Sequence, residues 1–193
     1  NKSEMQSAFL SYWSEGHKTV EIKQAADKQG CKSAIVYASG VSHAELIHHE
    51  LQALGESSAV ITGETLPLIR ATQLERFDKG NLRWLVNVDC LTTGYDCPRI
   101  DLVVMARATE SCGLFMQICG RGMRLFPNND KFFVLDMGGN ICRHGQIDSD
   151  TFGINTIKDP SSKAGEAPKK VCPKCFEIVH ASAKVCPKCL LEF

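Results

Sequence analysis

No stretch of this sequence approaches the roughly 20 consecutive apolar residues that a membrane-spanning helix needs. The opening residues, NKSEMQSAFLSYWSEG, also lack the basic-then-apolar order of a secretory leader. Both absences point to a cytoplasmic protein with no membrane partner. Net charge is missing as well: 22 Lys and Arg balance 22 Asp and Glu. No global field therefore draws the chain to nucleic acid, and any such binding must come from a local surface. Nor does a G-x-x-x-x-G-K-[S/T] loop occur, or an Asp-Glu-x-His or Asp-Glu-x-Asp box. The chain by itself is thus expected neither to cradle a nucleoside triphosphate and its magnesium nor to hydrolyse one.

What is present is enough for a sizeable core, with 193 residues of which 44% are hydrophobic. Residues 1–29 read as helical, ending at Gly30 as a C-cap. CKSAIVYAS, SSAVIT, LRWLVNV, IDLVVMA and KFFVLDMGG are short continuous apolar runs, read as five buried strands. Between them lie amphipathic segments: SHAELIHHELQALG, with Ser42 and Glu45 as a capping box and a stop at Gly55; LIRATQLERFDKG, ending at Gly80; and ATESCGLFMQICG. Apolar strands alternating with helices require a parallel sheet covered on both faces, so the body is α/β. Residues 157–170, IKDPSSKAGEAPKK, carry hardly any apolar side chain and read as a flexible linker. The expected organisation is a body at 1–156, the linker, and a compact tail at 171–193.

The tail is too small to fold by apolar burial alone. It carries four of the ten cysteines, Cys172, Cys175, Cys186 and Cys189, as two C-x-x-C pairs with ten residues between them. Two such turns close a tetrahedron of thiolates, the geometry of structural zinc. Two disulfides are the competing reading, disfavoured in a reducing compartment. Zinc binding would itself supply the folding energy of the module, on the order of 10 kcal/mol. With four sulfurs in place no coordination position is open, so the ion is structural, and His180 is left as a surface residue. The six remaining cysteines, Cys31, Cys90, Cys97, Cys112, Cys119 and Cys142, are scattered and read as small reduced hydrophobes.

Two stretches of the body carry chemistry. In open α/β sheets the loops leaving the carboxyl ends of strands build the ligand site. The third strand runs there into LTTGYD, which offers hydroxyls and backbone amides for phosphate oxygens and Asp96 for a ribose hydroxyl, or else simply makes a turn. In QICGRGMR, Gln117, Arg121 and Arg124 are spaced four and three apart and share a face if the segment is helical. The rigid fork of arginine suits bidentate contact with phosphate, whereas a merely solvated face is the bland alternative. Trp13, Trp84 and Tyr95 are read as core or loop fillers ahead of base-stacking platforms.

Together, LTTGYD and QICGRGMR resemble motifs V and VI of superfamily 2 helicases. SAIVYASGVSHAELIHHEL is similar to the motif IV strand and helix, and VITGET to the Thr-Gly loop that contacts nucleic acid. The resemblance covers about residues 18–145 and, with LDMGGNICRHG and the four-cysteine tail, is nearest to the bacterial RadD-like DNA-repair branch. It implies a RecA-like second motor lobe with a C-terminal zinc ribbon, belonging to an ATP- and magnesium-dependent protein whose first lobe is absent from this chain. By position it implies Arg124 as an arginine finger, Arg121 as a second contact to the γ-phosphate, and Gln117 as an ordering residue. Gly94 and Asp96 would face the nucleotide, while Ser39, Thr62, Gly63 and Thr92 would contact the backbone of single-stranded or branched DNA. The ribbon's lysines suit phosphate or a protein partner. Competing expectations are a non-hydrolysing module that docks DNA or protein, and the motor lobe of a restriction or phage-defence subunit.

Overall fold

A computed structural model describes residues 13, 18–91, 95, 97, 99–123, 131–147, 169–174, 178–180 and 182–193. The chain divides into two compact units, Asn1–Gly138 and Gly139–Phe193. Among the described residues no helix is long and apolar enough to cross a membrane.

The first unit contains α1 (Lys18–Gln29), β1 (Ala34–Ala38), α2 (Val41–Ala53), β2 (Ser58–Ile61), α3 (Pro67–Asp78), β3 (Trp84–Asn87), β4 (Leu102–Ala106), α4 (Cys112–Cys119) and β5 (Phe133–Asp136). Its sheet has the order β2-β3-β1-β4-β5, and every pairing is parallel. Each strand falls inside one of the five apolar runs; the central strands β1, β3 and β4 are buried on both faces, which leaves no room for polar alternation, while the edge strands β2 and β5 are partly buried. Ala34, Val36 and Ala38 pack with Ile22 and Ala26 of α1 and Ala44, Ile47 and Leu51 of α2. Ile35 and Tyr37, pointing the other way along β1, are equally buried.

Connection handedness sorts the covering elements. The path from β1 to β2 steps one way across the sheet, while those from β2 to β3, β3 to β4 and β4 to β5 step the other way. Right-handed crossovers therefore put α3, the described part of the segment 88–101 and α4 together on the face opposite α2.

The helix ends show what the sequence encodes locally. α1 ends at Gly30, at φ 72°, with the Cys31 N–H donating to the Ala26 carbonyl and the Gly30 N–H to that of Asp27. This is the double closure that a left-handed residue permits, and α2 and α3 close in the same way before Gly55 and Gly80. The capping box expected at Ser42 and Glu45 is not formed. The N-cap is Gly40, with no side-chain cap bond, and Ser42 lies inside the first turn. The entry is fixed one step earlier, where Nδ1 of His43 accepts the Ser39 N–H at 3.2 Å and meets its hydroxyl at 2.9 Å.

An ionic cluster ties α1 to the turn before β2 and the start of β3. Arg83 reaches Glu56 at 3.0 Å and Asp27 at 2.8 Å, and the Trp84 indole N–H donates to Glu56 at 2.9 Å. Trp84 is thereby a core residue, as is Trp13, whose indole donates to Thr19.

In the second unit, α5 (Asn140–His144) precedes an antiparallel pair, β6 (Lys169–Val171) with β7 (Ile178–His180). Lys169 and Lys170, read from composition as linker, are thus strand residues. Pairing with β7 through the backbone does not need the apolar side chains on which the linker reading turned. The rest of 157–168 lies outside the described residues.

Burial alone would raise the Glu56 carboxyl, but bonds from Trp84, Arg83 and Lys23 outweigh it and hold the group below the usual carboxylate range. A depressed folded value means stability that is present above the unfolded pKa and lost as pH falls through the folded one. Glu56→Gln should lower the unfolding free energy by about 1–3 kcal/mol at pH 7. The difference from wild type should shrink as pH falls below 4.5 in denaturant titrations.

Candidate functional site

Because all five strands are parallel, their carboxyl ends share one edge of the sheet, and the residues leaving them line up there. Thr62 and Gly63 follow β2, the segment from Val88 follows β3, Ser39 follows β1, Arg107 follows β4 and Gly138 follows β5. Ser39 is oriented by His43, which is buried against the edge of Trp13 at 4.5 Å. Burial lowers the His43 pKa to about 4, so near neutral pH the ring is uncharged and Nδ1 accepts. At Thr62 the Thr65 hydroxyl takes the backbone N–H at 2.9 Å, and an Arg70 guanidinium nitrogen donates to the carbonyl at 2.8 Å. Gly63 is exposed, and a Cβ built on it would meet open space. A tightly turned backbone with an unobstructed outer side is what close approach by a phosphodiester chain requires.

Among its described residues the segment between β3 and β4 has no helix, and it is held by side chains from elsewhere in the first unit. Asp89 pairs with Arg107. The buried Tyr37 hydroxyl donates to the Leu91 carbonyl at 3.2 Å. The Tyr95 hydroxyl donates to Asp78 at the end of α3, 2.6 Å away, and Arg99 donates to the Asp78 carbonyl at 2.8 Å. Finally, Arg121 donates to the Tyr95 carbonyl.

The helix carrying Gln117 begins at a Ser111 N-cap, whose hydroxyl accepts the Leu114 N–H at 3.1 Å, and it ends at Cys119. Arg121 therefore stands in the turn after α4 and not on its face, with its N–H still donating to the Ile118 carbonyl. Gln117 is exposed on α4 and Arg121 is half-buried. Gly122 is closely covered: a Cβ there would fall 1.7 Å from a Phe132 ring carbon. Arg124, Thr92, Gly94, Asp96 and Cys175 lie outside the described residues.

The sequence pattern of the Helicase conserved C-terminal domain matches residues 17–126. The chain belongs to that family. Among curated proteins it is 28% identical over 112 residues to IRC3 of Saccharomyces cerevisiae, a candidate ATP-dependent helicase, covering 58% of this chain and 16% of that protein. It is 33% identical over 130 residues to the EcoKI type I restriction endonuclease subunit of Escherichia coli, covering 60% of this chain and 11% of that one. Among solved structures, a fragment of a candidate HsdR subunit of a type I restriction enzyme from Vibrio vulnificus superposes with a TM-score of 0.59 at 25% identity. That match covers 70% of this chain and 28% of that one. This helicase C-terminal domain is thus a RecA-like lobe of the superfamily 2 type, and it spans only a small part of its relatives' length. The names of these relatives do not single out the DNA-repair branch.

In the second unit of this helicase-family chain, the sulfurs of Cys172, Cys186 and Cys189 lie within 4.8 Å of one another. Cys172 and Cys189 are 3.5 Å apart. A tetrahedron with metal–sulfur bonds of 2.3 Å has edges of about 3.8 Å, so these three residues fit one zinc ion. Cys172 and Cys186 are buried. His180 is exposed and engages Ser182 at 2.6 Å. No disulfide joins any of the described cysteines. Elsewhere burial pushes the thiols up, Cys31 and Cys97 to about 11 and Cys119 to about 12, which leaves them protonated and unreactive.

Sequence reasoning missed Tyr37, Asp78 and Arg99. Tyr37 sat in an apolar strand, and its only signal was a hydroxyl one residue from the carboxyl end. Tyr37→Phe removes the donor to a loop carbonyl while keeping the ring. The domain should lose about 1 kcal/mol of stability, and exchange of amides next to Leu91 should rise, as read by hydrogen–deuterium exchange.

Proposed function

We propose that this chain is the second motor lobe of an ATP-dependent helicase or translocase that acts on DNA in repair and works in the cytoplasm. The observation that supports it best is the Arg121 guanidinium bonded to the Tyr95 carbonyl, between Gly94 and Asp96 in sequence. The two stretches read as a nucleotide half-site thus meet in space. In this reading a separate first lobe brings the triphosphate and magnesium to the cleft. Arg124 acts as the arginine finger, Arg121 makes a second contact to the γ-phosphate, and Gln117 orders them. Gly94 and Asp96 face the nucleotide, with Asp96 toward a ribose hydroxyl. Charge that grows on the transferring phosphoryl group is met by cations already oriented, which is why one finger is worth roughly 10³ to 10⁵ in rate.

Ser39, Thr62 and Gly63 at the strand-carboxyl edge, together with Thr92, grip sugar-phosphate backbone without reading bases. Closure and reopening of the lobes would then advance the grip along one strand. Zinc, when bound by Cys172, Cys175, Cys186 and Cys189, supplies cross-linking of the ribbon and no chemistry. The exposed Lys174, Lys184 and Lys188 suit the ribbon to a phosphate backbone or an acidic protein.

The likeness to the EcoKI subunit favours a second reading, the motor lobe of a restriction system. ATP-dependent DNA cleavage by the longer protein would select it.

In the longer protein carrying both lobes, Arg124→Ala should lower DNA-stimulated ATP hydrolysis by about 10³-fold, with nucleotide binding weakened far less. Unchanged turnover would remove the proposal. For the ribbon, Cys189→Ser should reduce bound zinc from about one ion per chain toward none in elemental analysis. Circular dichroism of the helices in the first unit should stay the same.

A further inference from the structure

Tyr95 is held at both ends. Its carbonyl accepts from Arg121, the residue assigned to the γ-phosphate. Its hydroxyl donates to Asp78 at 2.6 Å. Asp78 is the last residue of α3, and its own carbonyl takes a second bond from Arg99, on the far side of Tyr95 in the same segment. The Arg99 guanidinium lies so close over the turn after α3 that a Cβ on Gly80 would meet it at 2.5 Å. The opposite end of α3 is fastened just as firmly: Arg70 of its first turn donates to the Thr62 carbonyl, and the Thr65 N–H donates to the same oxygen at 3.2 Å. A helix of this length is a rigid rod of roughly 18 Å. It runs from the Thr62–Gly63 turn at one edge of the sheet to Asp78 at the other.

We propose that Asp78 and Tyr95 are positioning residues that join α3 to the segment carrying Thr92, Gly94 and Asp96, so that the Thr62 turn and the Arg121 half-site move as one piece. Neither residue touches substrate. Their work is to make a shift at the nucleotide side reach the strand-gripping turn through a helix too stiff to absorb it. The inference rests on the motor reading above for the identity of the two ends, and on geometry alone for the link between them. Placing the coupling at the end of α3 also explains a carboxylate at a helix C-terminus, where the dipole disfavours it.

The test uses Asp78→Ala, which removes the acceptor and relieves the helix end, and Asp78→Asn, which keeps an acceptor oxygen. In the longer protein, Asp78→Ala should raise the concentration of single-stranded oligonucleotide that half-stimulates ATP hydrolysis by about three- to tenfold, the loss expected for one hydrogen bond. Turnover without oligonucleotide should stay within about twofold of wild type, since the chemistry is untouched. Asp78→Asn should retain wild-type behaviour, and Tyr95→Phe should match Asp78→Ala without adding to it in the double variant. Equal effects of Ala and Asn, or no change in half-stimulation, overturn the link. If the wild-type protein shows no stimulation at all, the motor reading fails separately, and hydrogen–deuterium exchange of the present chain decides the link. Asp78→Ala must then speed exchange of the amides at 63–65 as well as at 91–97, and an effect confined to the latter overturns it.

Discussion

The structure turns on how the connection between β3 and β4 is held. Parallel neighbours need a crossover, and in this architecture the crossover is usually a helix whose own backbone bonds keep it rigid. Here the described part of the 88–101 segment contains no helix and crosses the sheet face over β1, so its position depends on side chains from elsewhere. Tyr37 holds its start, Arg107 its first acidic residue, Arg121 and Asp78 its middle and Asp78 again its end. Its geometry depends on the residues that hold it, and one of them is Arg121, which we propose contacts the γ-phosphate.

Electrostatics divide along the same line. Around Arg83 the charges are satisfied internally, with Asp27, Glu56 and Lys23 closing a cluster on the indole of Trp84. Those charges stabilise the packing of α1. Arg70 and Arg121 donate to the backbone carbonyls of Thr62 and Tyr95, which orients both guanidinium groups. The cysteines divide similarly. Cys31, Cys97 and Cys119 are buried with raised pKa values and act as small apolar side chains, while Cys172, Cys186 and Cys189 converge.

The central strands were legible because burial on both faces leaves no alternative to continuous apolar runs, and Gly30, Gly55 and Gly80 announced the helix ends by a backbone conformation few other residues adopt. The capping box failed because Ser-x-x-Glu is only a local pattern. It cannot see that the N-cap of α2 lies two residues earlier, at Gly40, with His43 reaching back to Ser39. Lys169 and Lys170 were misread because composition does not register a strand paired through its backbone. At the site, motif spacing singled out Arg121 but not its turn, since a helical face was extrapolated past Gly120. The Tyr95–Asp78 bond joins residues with no shared period, so nothing in the sequence alone could have signalled it.

The central claim is that residues 117–124 form half of a triphosphate site completed by another lobe. The most direct measurement is photo-crosslinking with an ATP analogue reactive at its γ-phosphate, followed by peptide mapping. The account predicts labelling of the segment 117–124 in the two-lobed protein, competed by ATP and absent when this chain is treated alone. Labelling confined to the other lobe, or equal labelling of this chain by itself, would contradict it.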